Sequence, residues 1–190
     1  YRLMAAKDSE DPSMQVFRPL IEGKSNESSN SLTGYQLVFP EGVFFEECDS
    51  EVEASVLETG NVFLDLEASI KHGSFDVANA AQALNPKGLV IAAEAYYSNR
   101  KLIDEHFHEL DPVVSHRIIK GRDVTAIEYL NIKNGLTLIR KQAIDFFDTT
   151  DALLVPTVMI PPSALANCQS SVEAYSKINV SCLRNTAIGN

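Results

Sequence analysis

The fold is decided between residues 35 and 66. Tyr35-Gln-Leu-Val-Phe39 is short, rich in β-formers and closed by Pro40, and so reads as a strand. Asp49 and Ser50 then offer a helix cap, Ser50 and Glu53 stand at capping-box spacing, and Val52, Val56 and Leu57 fall on one helical face. Asn61-Val-Phe-Leu-Asp-Leu66 follows Gly60, which reads as a helix stop, and alternates as a second strand would. Strand, helix, strand is the pattern of a βαβ unit, and it places the chain in the α/β class.

Downstream, the pattern is mostly helical. Phe75 to Leu84 is Ala-rich, and Pro86 stands near the start of a helix that can run through Ile103. Asp111-Pro112 is a strong helix entry, with Asp as cap and Pro where its missing N–H costs little. The short helix it opens ends at Gly121. Thr125 and Glu128 form a capping box before the longest helix, Ala126 to Phe147, in which Gly135 is a weak point. Asp151-Ala-Leu-Leu-Val-Pro156 is a continuous apolar run short enough for a buried parallel strand. Pro156, Pro161 and Pro162 then predict a structured loop over Thr157 to Asn167. Upstream, residues 22 to 34 are polar and read as a surface loop, and Tyr1 to Lys7 reads as the last turns of a helix entering the breaker Asp8 to Pro12.

Composition bounds what such a chain does. Its 190 residues are 45% hydrophobic and 22% charged, which fits one folded domain or part of a larger one. A net charge of −10, from 16 basic and 26 acidic residues, argues against a broad grip on nucleic acid or anionic lipid. No apolar run approaches the ~20 residues of a membrane span, and no secretory signal opens the chain. Cys48, Cys168 and Cys182 are odd in number and widely spaced, which points to reduced, inert thiols in a cytoplasmic protein. No metal site or cofactor motif is read. His106 and His108 fit a solvated helix end, and the acidic residues between Glu41 and Glu53 fit a solvated face.

Several segments, in order, resemble the amidase signature family. They are Asp8-Ser-Glu-Asp-Pro-Ser13, Ala93-Glu-Ala-Tyr-Tyr97, Leu110-Asp-Pro-Val-Val114, Arg117-Ile-Ile-Lys-Gly121, Tyr129, Asp151-Ala-Leu-Leu-Val-Pro-Thr157, and Arg184-Asn-Thr186 with Asn190. The resemblance implies part of an α/β sandwich with a mixed central sheet flanked by helices, and hydrolysis of a small amide through a seryl acyl-enzyme. It also implies a Lys and two Ser near a Gly-Ser-Ser-Gly type stretch, because a hydroxyl attacks only when a base takes its proton and N–H groups receive the oxyanion.

That stretch is not in this chain. The Ser-Ser pairs, Ser28-Ser29 and Ser170-Ser171, have no flanking glycines. No catalytic residue is therefore assigned, and residues 1–190 are expected to be a partial amidase-like domain, inactive alone, with its catalytic core upstream.

The substrate-side candidates are Tyr96, Tyr97 and Arg100 on one predicted helix, and Thr157 at the mouth of a predicted strand. Tyr96 and Arg100, four apart, would suit a substrate carboxylate or carbonyl. Allophanate hydrolases of this family use a Tyr and an Arg from a comparable region. The plainer and favoured reading packs the rings in the core and gives Arg100 a surface pair.

Two alternatives stand beside the hydrolase. One is the A subunit of a tRNA-dependent amidotransferase, releasing ammonia from glutamine. The other is a non-catalytic α/β module binding a partner through its open faces. A homo-oligomer or a partner subunit is left open by both.

Overall fold

The computed structural model describes residues 31–85 and 88–189. The predicted readings over Tyr1 to Pro12, most of the polar stretch 22 to 34, Ser28-Ser29, Pro86 and Asn190 lie outside these residues.

The architecture is α/β. Strand β1 (Gln36–Glu41) leads into helix α1 (Ser50–Asp65) and returns as β2 (Ser69–Ser74). The two strands pair in parallel, from Gln36 opposite Ser69 to Glu41 opposite Ser74, which completes the predicted βαβ unit. Helices α2 (Asp76–Leu84), α3 (Leu89–His106), α4 (Pro112–Ile119) and α5 (Ala126–Phe147) follow, then β3 (Ala152–Leu153), α6 (Leu165–Gln169) and α7 (Val172–Gly189). β3 lies parallel on the other side of β1, so the sheet order is β2-β1-β3. Among the described residues no helix is long and apolar enough to cross a membrane.

The second strand is not where the alternation predicts it. Asn61 to Asp65 are the last turns of α1, and Gly60 lies inside that helix rather than ending it. Gly60 is buried because the Phe39 ring packs there, and a Cβ at this position would stand 3.0 Å from Phe39 Cε2. Val62 and Leu64, which made the segment look like a strand, are exposed on the helix. The true strand, Ser-Ile-Lys-His-Gly-Ser, carries little apolar signal. The start of α1 also differs in detail. Asp49 is the cap, accepting from Glu51 N at 2.9 Å, and Ser50 is the first helical residue.

β1 is the central strand, with Leu37, Val38, Phe39 and Pro40 all buried, as a strand covered on both faces should be. It runs past the predicted end at Phe39, through Pro40 to Glu41. Pro40 is tolerated for a geometric reason. Gln36 O and Val38 O face β3, accepting from Asp151 N and Leu154 N, each at 2.9 Å. Pro40, two residues on, faces the same way, but β3 pairs only with Leu37 and Val38. The missing N–H therefore falls where the ladder has already ended. Asp151 fixes the entry to β3 from both sides, since its carboxylate also accepts from Gln36 N at 2.7 Å.

The core gathers where β1 gives way to its turn. Val43, Phe44, Phe75 and Ala78 are buried together, with Phe146 of α5 and Ile188 of α7 against them. Phe75 and Phe146 meet edge to face at 4.7 Å. Asn79 of α2 holds the turn after β1, accepting from Val43 N at 3.1 Å.

From α2 to α5 the helical part is close to its sequence reading, whereas α7 is a long helix where the sequence reads as a segment leading to a strand. Asp111 caps α4, accepting from Val113 N and Val114 N, and Pro112 takes the first turn. Thr125 and Glu128 close a full capping box on α5, which spans the predicted residues. Gly135 is a seat rather than a weak point, because a Cβ there would stand 2.5 Å from Leu84 Cδ2 of α2. The loop after β3 is shorter than predicted, since α6 begins at Leu165. Gly121 makes the closest approach. It sits buried in the 3₁₀ turn Lys120–Asp123, and a Cβ there would collide with the backbone of Ala92 and Ala93 in α3.

Two predictions follow from this packing. Gly121→Ala must push α3 and the turn apart, costing about 1–3 kcal/mol or more in urea unfolding. Gly73→Ala, with nothing within 4 Å of its Cβ, is expected to change stability by less than about 0.5 kcal/mol. The second concerns acid. The backbone N–H and hydroxyl of Thr125 hold the Glu128 carboxyl below its usual range. A carboxyl depressed in the folded state stabilises the protein above its unfolded pKa, and that contribution is lost as pH falls through the folded value. Glu128→Gln should therefore lower the melting temperature at neutral pH and converge with the parent in acid.

Candidate functional site

Three places in the fold carry polar chemistry. The first is the crest formed by the carboxyl ends of β1 and β3, where open α/β sheets bind ligands. Here α7 inserts Asn185, which is 4% exposed. Its amide nitrogen donates to Phe44 O at 2.8 Å and to Pro156 O at 2.7 Å, joining the turn after β1 to the exit of β3. Arg184 adds a second tie, with Nη2 donating to Glu46 O at 2.6 Å and Nε to Asn185 Oδ1 at 3.3 Å. Partial burial pulls the Arg184 guanidinium below its usual value, and Glu46 and Glu47 pull the other way. Asp49 N donates to Met159 O at 2.8 Å, and Cys48 Sγ reaches the same oxygen at 3.5 Å.

Cys48 is not primed for attack. Burial pushes its thiol up, Glu53 and Asp49 add to the rise, and Arg184 offsets only part of it. Cys48, Cys168 and Cys182 are each half-buried and unpaired. Thr157 sits exposed on this crest, just beyond buried Pro156.

The second place is the junction of α3 with the 3₁₀ turn. Tyr96 is half-buried, and its hydroxyl donates to Asp104 Oδ1 at 3.2 Å, two turns along the same helix. Removal from water and the Asp104 carboxylate raise its phenol above the usual value, while Arg122 and Arg100 act in the opposite direction. The close contact at Gly121 is what brings Arg122 to α3. Arg100 is exposed and Tyr97 is 77% exposed, so neither ring nor guanidinium belongs to a packed core. The structure thus keeps Tyr96 within electrostatic reach of Arg100 and leaves Tyr97 on the surface. Thr157 lies on another element, beyond β3.

The third place was not legible in the sequence as a site. A groove of about 530 Å³ opens between α4 and the segment that runs from α6 into α7. Arg117 and Tyr175 both line it. Arg117 was visible only as part of a family-like segment, and nothing in sequence ties it to Tyr175. The Ser170-Ser171 pair lies at this end of α7 and serves local structure. Ser170 Oγ donates to Asn167 O at 2.9 Å, and Ser171 Oγ accepts from Ala174 N at 3.1 Å. Among the described residues no group of three or more His, Cys, Asp or Glu could hold a metal ion. His106 pairs with Glu109 at 2.9 Å on an exposed helix end.

Against known proteins, the chain is 31% identical over 162 residues to a 2-amino-5-chloromuconic acid deaminase of Comamonas testosteroni, covering 83% of this chain and 34% of that protein. It is 25% identical over 160 residues to an amidase of Pseudomonas putida, covering 84% of this chain and 34% of the relative. The chain therefore spans about a third of the length of these curated relatives. Their names support an amidase-like family. No protein-family profile matches the chain. No solved structure matches it either.

The crest predicts a measurable dependence on one side chain. Asn185→Ala leaves the carbonyls of Phe44 and Pro156 without donors, at about 1–3 kcal/mol for each that stays dry. Asn185→Asp supplies no N–H and should destabilise at neutral pH as well. Urea unfolding of both variants checks this, and parent-like midpoints would contradict the clamp.

Proposed function

We propose that this chain is the downstream part of an amidase-like hydrolase that cleaves the C–N bond of a small amide through a seryl acyl-enzyme. The observation that carries the reading is the similarity itself. It runs along more than four-fifths of this chain, yet over only a third of relatives named a 2-amino-5-chloromuconic acid deaminase and an amidase. The ordered segments from Ala93 to Thr157 and the Arg184-Asn185-Thr186 run agree with it.

In this reading the nucleophilic Ser, the second Ser and the Lys come from sequence upstream of Tyr1, and residues 1–190 are a partial domain, inactive alone. The chain would supply walls of the site. Tyr96 and Arg100 would hold a polar substrate group, with Tyr97 flanking them, and Thr157 would contribute from the strand ends. The Tyr96 proton is already given to Asp104 Oδ1, so toward a substrate its hydroxyl oxygen would serve as an acceptor. The substrate is a small molecule. The acidic balance of the chain favours it over tRNA.

The test is to read the gene upstream of Tyr1 and assay the longer product for ammonia release. A Lys and a Gly-Ser-Ser type stretch upstream are expected, with turnover of simple amides and none by the 190-residue chain. Arg100→Gln in the longer product should raise KM about tenfold with a smaller change in kcat, as expected when a charged substrate contact is lost. Absence of that upstream stretch would overturn the reading, and turnover of glutamine alone would replace the hydrolase with the amidotransferase subunit.

A further inference from the structure

We propose that the groove between α4 and the start of α7 binds a small organic carboxylate, with Arg117 as its charge anchor and an apolar bed beneath the rest of the molecule. At about 530 Å³ the groove lies within the size range of small-molecule sites, roughly 300–1,000 Å³. Its lining divides cleanly. Val113, Val114, Val172 and Tyr175 supply apolar and aromatic surface, and three of them are markedly wet: Val114 is 51% exposed, Val172 45% and Tyr175 38%.

The charges decide the class of ligand. Asp111 is the lone anion of the lining, and its Oδ1 is turned to the start of α4, accepting from Val113 N at 2.9 Å and Val114 N at 3.1 Å. Arg117 is the lone cation, and it makes no ion pair or hydrogen bond among the described residues. A free guanidinium has a planar fork that matches a carboxylate, and apolar surface beside it rewards a ligand with a hydrocarbon or aryl body. A bare inorganic anion would leave that bed wet. A neutral apolar ligand would gain the bed but not the contact with the exposed guanidinium of Arg117.

The groove lies at one end of α7 and the Asn185 crest at the other, roughly 20 Å away at 1.5 Å per residue. Binding here requires none of the groups assigned to amide hydrolysis, so failure of either proposal leaves the other standing.

The experiment is an amide-resolved NMR titration of the 190-residue chain with 3-phenylpropanoate, its neutral isostere 3-phenylpropanamide, and acetate. Saturable shifts from the acid are expected at residues 113–117 and 168–175, with the amide and acetate about tenfold weaker and the acid weakening as salt is raised. Arg117→Gln should cost the acid about tenfold while leaving the amide unchanged, and Lys141→Gln, exposed on α5 outside the groove, should change neither. Equal binding of acid and amide to the parent protein would overturn the proposal, as would shifts confined to other residues or no saturable shift. The acid–amide comparison decides the matter even where Arg117→Gln does not fold.

Discussion

The structure turns on one buried side-chain amide. Asn185 reaches from the last helix into the seam between two strand ends and meets the carbonyls of Phe44 and Pro156 at once. Both oxygens sit where chains leave the sheet, so no ladder partner is available to them. A carbonyl shut away from water without a donor is costly, and a two-donor amide removes the cost at both sites with one residue. Because the amide belongs to α7, the same bonds fix that helix against the core and carry Ile188 onto the cluster around Phe44. Arg184 reinforces the arrangement from the next position by holding Asn185 Oδ1 and the Glu46 carbonyl.

How much of this could be read in advance depends on where the signal resides. Signals carried by a few adjacent residues were plain. The Asp111-Pro112 entry and the Thr125–Glu128 box gave helix starts that the structure reproduces, because capping is a contact between neighbours. Misreadings came where a distant partner sets the meaning of a residue. Gly60 resembles a stop until Phe39 is packed on it, and Gly135 resembles a defect until Leu84 lies over it. The second strand was missed because pairing with β1, rather than its own composition, makes Ser69–Ser74 extended.

The candidate site shows the same division. Tyr96 and Arg100 were visible because helical spacing puts them on one face, and the structure keeps them within electrostatic reach. Asp104 and Arg122 complete that group, the second through a backbone contact at Gly121 that no periodicity announces. Arg117 and Tyr175 meet only because α4 and α7 converge. Asn185 was seen as part of a family-like run, but its role rests on two carbonyls far from it in sequence. Local pattern thus gave the helix starts of α4 and α5, while long-range contact set the place of β2 and the meaning of the site residues.

The pairing of β1 with β3 bears on how the chain is made. Gln36 and Asp151 are 115 residues apart, whereas β2 follows β1 after a single helix. On the ribosome, the first two strands can associate early, and the flank of β1 that awaits β3 stays open while the intervening helices emerge. At roughly 5–20 residues per second that interval lasts several seconds. Loop-closure entropy then opposes the late docking, as it does for any contact between distant residues. An apolar central strand with one unpaired flank is a template for wrong partners until β3 docks.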